Sequence, residues 1–132
     1  MKYYIASRLE NAPAVIALRA KLYTELSWVQ TYDWTTHGSV QTCTSRRMGL
    51  YAQAEAAGVA AADILIVLLP GGRGTHCEIG MALALGKKVY ILSTKPEVDF
   101  GSTTETCAFY HHPLVRQATS ETDLMALLRA GL

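Results

Sequence analysis

Residues 64–74 constrain this chain more than any other stretch. Ile64-Leu65-Ile66-Val67-Leu68-Leu69 is an unbroken apolar run, and Pro70-Gly71-Gly72-Arg73-Gly74 follows it directly. Six apolar residues are far too few to cross a membrane, which takes about 20. The run does not alternate, so a strand made from it is apolar on both faces. Such a strand belongs in the middle of a parallel sheet, with helices covering both sides. The proline and glycines then force a loop. Thr75 to Leu85 has the pattern of a helix, and Gly86 stops it.

The rest of the chain alternates in the same way. Tyr3 to Ser7 reads as a first strand. Asn11 caps a helix with Pro13 in its first turn, and Val15, Leu18, Leu22 and Leu26 recur at helical spacing. Trp28 to Trp34 reads as a second strand, Thr35 to Ser45 as a polar loop, and Arg46 to Ala62 as an alanine-rich helix. Val89 to Leu92 is a fourth strand, Lys95 to Thr106 a long loop, and Cys107 to Tyr110 a short edge strand. Ser120 and Asp123 open a last helix whose apolar face is Leu124, Leu127 and Leu128. Parallel strands need helical crossovers, and these are right-handed in nearly all cases. The expectation is a single α/β domain over residues 1–132, doubly wound in the Rossmann or flavodoxin manner, with four to five parallel strands and helices on both faces. Ligands bind such sheets at the carboxyl ends of the strands. Ser7 to Asn11, Asp33 to Gly38 and Pro70 to Glu78 fall there.

Composition narrows the partners. With 12 basic and 11 acidic residues, no concentrated positive charge is available for nucleic acid or an anionic membrane. Only 17% of residues are charged, against a usual share of about 25%. A covered surface, hence a homo-oligomer (dimer or higher), is expected. Met1-Lys2-Tyr3-Tyr4 runs straight into the first strand with no apolar leader, and Cys43, Cys77 and Cys107 are sparse. Reduced thiols and a cytoplasmic location are the expectation. The cysteines lack metal-ligand spacing, and His76, His111 and His112 lack metal-like partners, so no metal is expected and these histidines read as surface or loop residues.

The glycine-rich loop carries the chemistry. Its glycines permit tight turning and close approach to a ligand, and the helix start behind it favours anions. It matches neither G-x-G-x-x-G nor the P-loop, which disfavours nicotinamide enzymes and NTPases. Thr75-His76-Cys77-Glu78 fits a capping box, with Glu78 reaching back to the helix start. Alternatively, Glu78 points into the crevice as nucleophile or acid/base. Arg73 is either solvated or a holder of phosphate or carboxylate. Glu55 shares a stripe with Met48, Tyr51, Ala52, Val59 and Ala62, where a carboxylate is costly unless it lines a wet crevice. If Leu50, Ala54, Ala57 and Ala61 form the buried face instead, Glu55 is merely solvated. Asp63 stands at the amino end of its strand and reads as structural. Tyr4 lies inside the first strand, where an aromatic is usually buried.

Ala62-Asp63-Ile64 through Thr75, then Glu78-Ile79-Gly80-Met81-Ala82 and Leu85-Gly86-Lys87, resemble the nucleoside 2-deoxyribosyltransferase family. Tyr4-Ile5-Ala6-Ser7 and Tyr32-Asp33-Trp34 look like family segments too, and the resemblance fades after about Ser93. It implies Glu78 as nucleophile and Tyr4 as its hydrogen-bond partner. It implies a second carboxylate eight residues ahead of Asp63, where Glu55 stands in place of the usual Asp. Apart from the resemblance, His37, beside Asp33 and Trp34, is a candidate to contact a base, and Trp34 either stacks on that base or belongs to the core. The loop residues Gly71, Gly72, Arg73, Gly74 and Thr75 would meet the substrate, and if that substrate is a nucleoside 5′-monophosphate, Ser7, Arg8 and Arg73 would hold its phosphate. An Asp common six residues before the nucleophile is Gly72 here, which leaves the 5′ end to be read differently, for instance by Arg73. The implied reaction cleaves an N-glycosidic bond through a glycosyl-Glu intermediate and transfers 2-deoxyribose to a free nucleobase, with no cofactor. One alternative is hydrolysis of a nucleoside 5′-monophosphate. That includes the cytokinin-activating phosphoribohydrolases, whose Pro-Gly-Gly-x-Gly-Thr-x-x-Glu motif Pro70 to Glu78 matches. Another is a nucleotide-binding module that cleaves nothing.

Overall fold

The apolar run forms the central strand. In the structure, a computed structural model describing residues 1–38 and 42–131, Ile64–Leu68 (β3) is buried at every position. It lies between β1 (Lys2–Ala6) and β4 (Lys88–Leu92). β2 (Val29–Gln30) and β5 (Val115–Ala118) are the edges of one five-stranded sheet of order β2-β1-β3-β4-β5, with every pairing parallel. Helices α1 (Ala12–Leu26) and α5 (Glu121–Ala130) lie together on one face, tied by the ion pairs Lys21–Glu121 and Arg129–Glu25. Helices α2 (Ser45–Ala61) and α3 (Arg73–Ala84) pack against each other and against β1 on the other. This is the expected α/β architecture. Strand order reverses between β1 and β3, which opens the ligand crevice at their carboxyl ends.

Several elements differ from the reading above. The second strand is two residues rather than Trp28 to Trp34. After Gln30 the chain turns away, Thr31 donating its hydroxyl to the Gly58 carbonyl at 2.7 Å, and Trp34–Thr36 is a 3-10 turn. Cys107 to Tyr110 is not an edge strand. Ala108–His111 is a 3-10 turn, and the edge is β5, whose burial alternates too little to stand out in sequence. The segment expected to be all loop contains a short helix, α4 (Pro96–Asp99). Asn11 starts α1 without capping it. Its amide instead donates to the Ser7 hydroxyl and the Pro70 carbonyl, tying the loops after β1 and β3 together. Asp63 is structural, accepting from the Lys2 amide at 2.8 Å. Within the expected loop Thr35 to Ser45, residues 39–41 lie outside the described ones. Among the described residues, no helix is long and apolar enough to cross a membrane.

Candidate active site

Strand alternation sends Tyr3 and Tyr4 to opposite faces of the sheet, and Tyr4 points toward α2 and α3. The ring has room because Gly58 faces it. A Cβ at Gly58 would sit 3.0 Å from Tyr4 Cδ2 and 2.8 Å from Tyr32 Cβ. The Tyr4 hydroxyl donates to Glu78 Oε2 at 2.5 Å and lies 3.5 Å from Glu55 Oε1. The two glutamates therefore face each other across one phenol.

Glu78 does not cap its helix. α3 begins at Arg73, two residues before the expected start, so the cap-facing position falls to Thr75, whose hydroxyl accepts from the Gly72 amide at 3.0 Å. Glu78 falls on the buried stripe of Thr75, Ile79, Ala82 and Leu83, with 5% of its surface exposed. Burial pushes its carboxyl up to about 8, and the neighbouring Glu55 adds to the rise while the Tyr4 hydroxyl opposes it. Burial, with Glu78 beside it, pushes the Tyr4 phenol well above its ordinary range, so it stays a proton donor.

Glu55 is reached from the other side by His37. Nδ1 of His37 is 3.7 Å from Glu55 Oε2, its ring stacks on Tyr51 at 3.7 Å between centroids, and Nε2 meets the Tyr32 hydroxyl. The stripe containing Tyr51 and Glu55 thus faces the crevice, and the alternative alanine face does not bury.

Two hollows meet at the glutamates and share His37, Glu55, Gly74 and Glu78. One, of about 230 Å³, is walled further by Ser7, Arg8, Leu9, Trp34, Gly38, Gly72 and Thr75. The other, of about 350 Å³, is mostly apolar, walled by Met48, Tyr51, Ala52, Ala56, Cys77 and Met81. Most residues singled out in the sequence converge here. Ser7 is fixed by donating to the Leu68 carbonyl at 2.7 Å. Arg8 is half-exposed, and among the described residues its counter-ion is Glu10 at 3.8 Å. Trp34 is wall rather than a free stacking surface: it is buried and its indole donates to the Ile5 carbonyl.

Three residues are not brought in. Asp33 lines neither hollow. It accepts from Thr35 and pairs with Arg19 at 2.5 Å, which together draw its pKa down against the opposing effect of burial. Arg73 is exposed on the outer side of α3, and Gly71 faces a separate cavity of about 510 Å³. His76 lines that cavity and is no free surface residue: its ring bridges the Gly72 carbonyl at 2.7 Å and the Tyr110 hydroxyl at 2.6 Å. Sequence reasoning missed Gly58, Tyr32 and Tyr51 as site-forming residues. Tyr51 carried a signal, one turn before Glu55 on the same stripe, and Tyr32 stood in a segment that resembles the family. Among the described residues, no group of three or more His, Cys, Asp or Glu is placed to hold a metal.

The fold defines a doubly wound domain with a carboxylate pair at its switch point. No family model matches the chain, and no curated protein does. Among solved structures it is similar to the Clostridium botulinum CMP N-glycosidase BcmB, at a TM-score of 0.55 and 16% identity over 100% of both chains. At that identity the likeness is one of fold.

Proposed function

We propose that this protein cleaves the N-glycosidic bond of a nucleoside 5′-monophosphate, with Glu78 as nucleophile, Glu55 as acid/base and Tyr4 as the residue that orients Glu78. The observation carrying this reading is the pair of contacts at one phenol, 2.5 Å to Glu78 and 3.5 Å to Glu55. The facing carboxyl oxygens can be no further apart than those two distances laid end to end. That suits the shorter carboxyl separation, about 5–5.5 Å, of enzymes that work through a covalent intermediate. Glu78 attacks the anomeric carbon as the bond to the base breaks. The electron pair goes to the base, which takes a proton from Glu55. Water then adds at the same carbon, giving its proton to Glu55 and releasing Glu78.

The smaller hollow suits a sugar with an anionic 5′ group, since Arg8 and the glycine-loop residues Gly72 and Gly74 line it. The apolar hollow suits a base. BcmB, whose fold this chain shares, is a CMP N-glycosidase, which supports hydrolysis of a monophosphate over the transfer implied by the family resemblance. Transfer remains the second reading because the apolar hollow, once vacated, would admit a free acceptor base. The test compares kcat/KM for a nucleoside and its 5′-monophosphate in the wild type, Arg8→Ala and Arg73→Ala, with and without a free base. Preference for the monophosphate that Arg8→Ala alone removes, unaffected by added base, is expected. Equal use of both substrates together with base exchange establishes the transferase instead.

A further inference from the structure

We propose that His37 is a positioning residue that orients Glu55 for proton transfer to the leaving base. This rests on the N-glycosidase reading above. Glu55 presents its two oxygens to different partners: Oε1 toward Tyr4, 3.5 Å away, and Oε2 toward His37 Nδ1, 3.7 Å away. Oε1 therefore faces the reacting centre and Oε2 is the anchored end. The imidazole is itself fixed on two sides, face-on by Tyr51 with 9° between the ring planes and at Nε2 by the Tyr32 hydroxyl. Its side chain is only 11% exposed. His37 lines both hollows, but one ring face is covered by Tyr51 and its two nitrogens are directed at Glu55 and Tyr32.

The hydrogen bonds determine what the ring can do. When the Tyr32 hydroxyl donates to Nε2, the ring proton sits on Nδ1 and is directed at Glu55 Oε2. At 3.7 Å this is an electrostatic contact rather than a hydrogen bond, the loose geometry common before substrate binds. As C1′–N cleaves, Glu55 gives its proton to the base nitrogen and becomes a carboxylate. The Nδ1–H then stabilises that new charge on Oε2, and the proton returns to Glu55 from the attacking water. No other reactant is needed. The titratable groups around His37 among the described residues are Tyr32 from the segment after β2, Tyr51 and Glu55 from α2, Cys77 and Glu78 from α3, and Arg8 at the far wall. Of these, only Glu55 faces Nδ1 as an acceptor.

Substrates with different leaving groups test this. An ordinary nucleoside monophosphate needs its base protonated, whereas one already alkylated to a cation at a ring nitrogen does not. His37→Phe keeps a ring on Tyr51 and removes both nitrogens. It should lower kcat on the ordinary substrate about tenfold or more, with less than about a threefold loss on the cationic one. The basic limb of the ordinary-substrate pH profile, which reports the acid, should move. His37→Asn, which keeps an N–H near Nδ1, should recover part of the loss. Tyr32→Phe, which leaves the imidazole in place should His37→Phe not fold, should lower kcat on the ordinary substrate several-fold. Equal losses on both substrates with an unmoved profile overturn the role of His37 while leaving the N-glycosidase reading intact. A wild type that cleaves neither substrate overturns both.

Discussion

Removing one oxygen, Tyr4→Phe, perturbs the site at its centre. Tyr4 has no exposed surface, and its hydroxyl donates to the buried Glu78 carboxyl at 2.5 Å. A hydrogen bond to a charged group contributes about 1.5–3 kcal/mol, and about 1.4 kcal/mol corresponds to one pH unit. Without it the Glu78 carboxyl, already raised by burial and by Glu55, rises further. The acid limb of kcat/KM should therefore move up by about one to two pH units, and activity near neutrality should fall about 10- to 100-fold. Stability gives an independent readout with a defined sign. Glu78 titrates near 4.5 in the unfolded chain and near 8 in the folded one, so the folded state holds the extra proton between those values. Wild-type stability consequently falls as pH rises across that window. In Tyr4→Phe the fall continues to higher pH. The loss relative to wild type should be about 0.5–1.5 kcal/mol at pH 6, where a neutral acid loses a partner, and about 1.5–3 kcal/mol at pH 9, where a carboxylate does. Denaturant melts at the two pH values and a kcat/KM profile measure this. An acid limb that stays in place, or a stability loss equal at both pH values, refutes the assignment of Tyr4 as donor to an ionising Glu78.

Glu78→Gln should reduce turnover by about a thousandfold or more while the protein stays folded, and its stability at pH 9 should equal or exceed that of the wild type because a buried charge is gone. A capping role for Glu78 predicts near-normal turnover with a loss of about 0.5–2 kcal/mol. Gly58→Ala places a methyl 2.8 Å from Tyr32 and 3.0 Å from Tyr4, and should cost about 1–3 kcal/mol with a drop in kcat, read by melting and by turnover. Met48 and Leu50 on α2, and Met81 on α3 with Leu85 just beyond it, are exposed apolar side chains. A homo-oligomer at micromolar concentration should appear in sedimentation, and a monomer mass would refute it.

The central strand, the glycine loop and the order of helices and strands were legible because each is a local signal: an apolar run, a Pro-Gly-Gly break directly after it, a 3.6-residue period. The glutamate register was legible from the stripe shared by Tyr51, Glu55 and Val59. The edge strands were not. Val115–Ala118 is buried only at its two ends, and Val29–Gln30 is too short to show a period, whereas the aromatic-rich stretch to Trp34 imitates one. The helical start at Arg73 was hidden because Thr75 and Glu78 mimic a cap three residues apart, and only burial against Tyr4 separates the two. His76 was misread because its partner Tyr110 lies 34 residues away. Asp33 looked like a ligand contact, but its fate depends on Arg19 across the fold.

The most direct measurement is to trap the covalent intermediate. A nucleoside monophosphate carrying fluorine at the sugar 2′ position disfavours the oxocarbenium-like state, slowing formation and breakdown of a glycosyl-enzyme so that it accumulates when the base leaves readily. Peptide mass spectrometry after brief incubation should find one sugar phosphate per chain, esterified at Glu78, absent from Glu78→Gln and still present, though formed more slowly, in Glu55→Gln. Release of base with no covalent mass on the protein, or a label at any other residue, contradicts nucleophilic catalysis by Glu78.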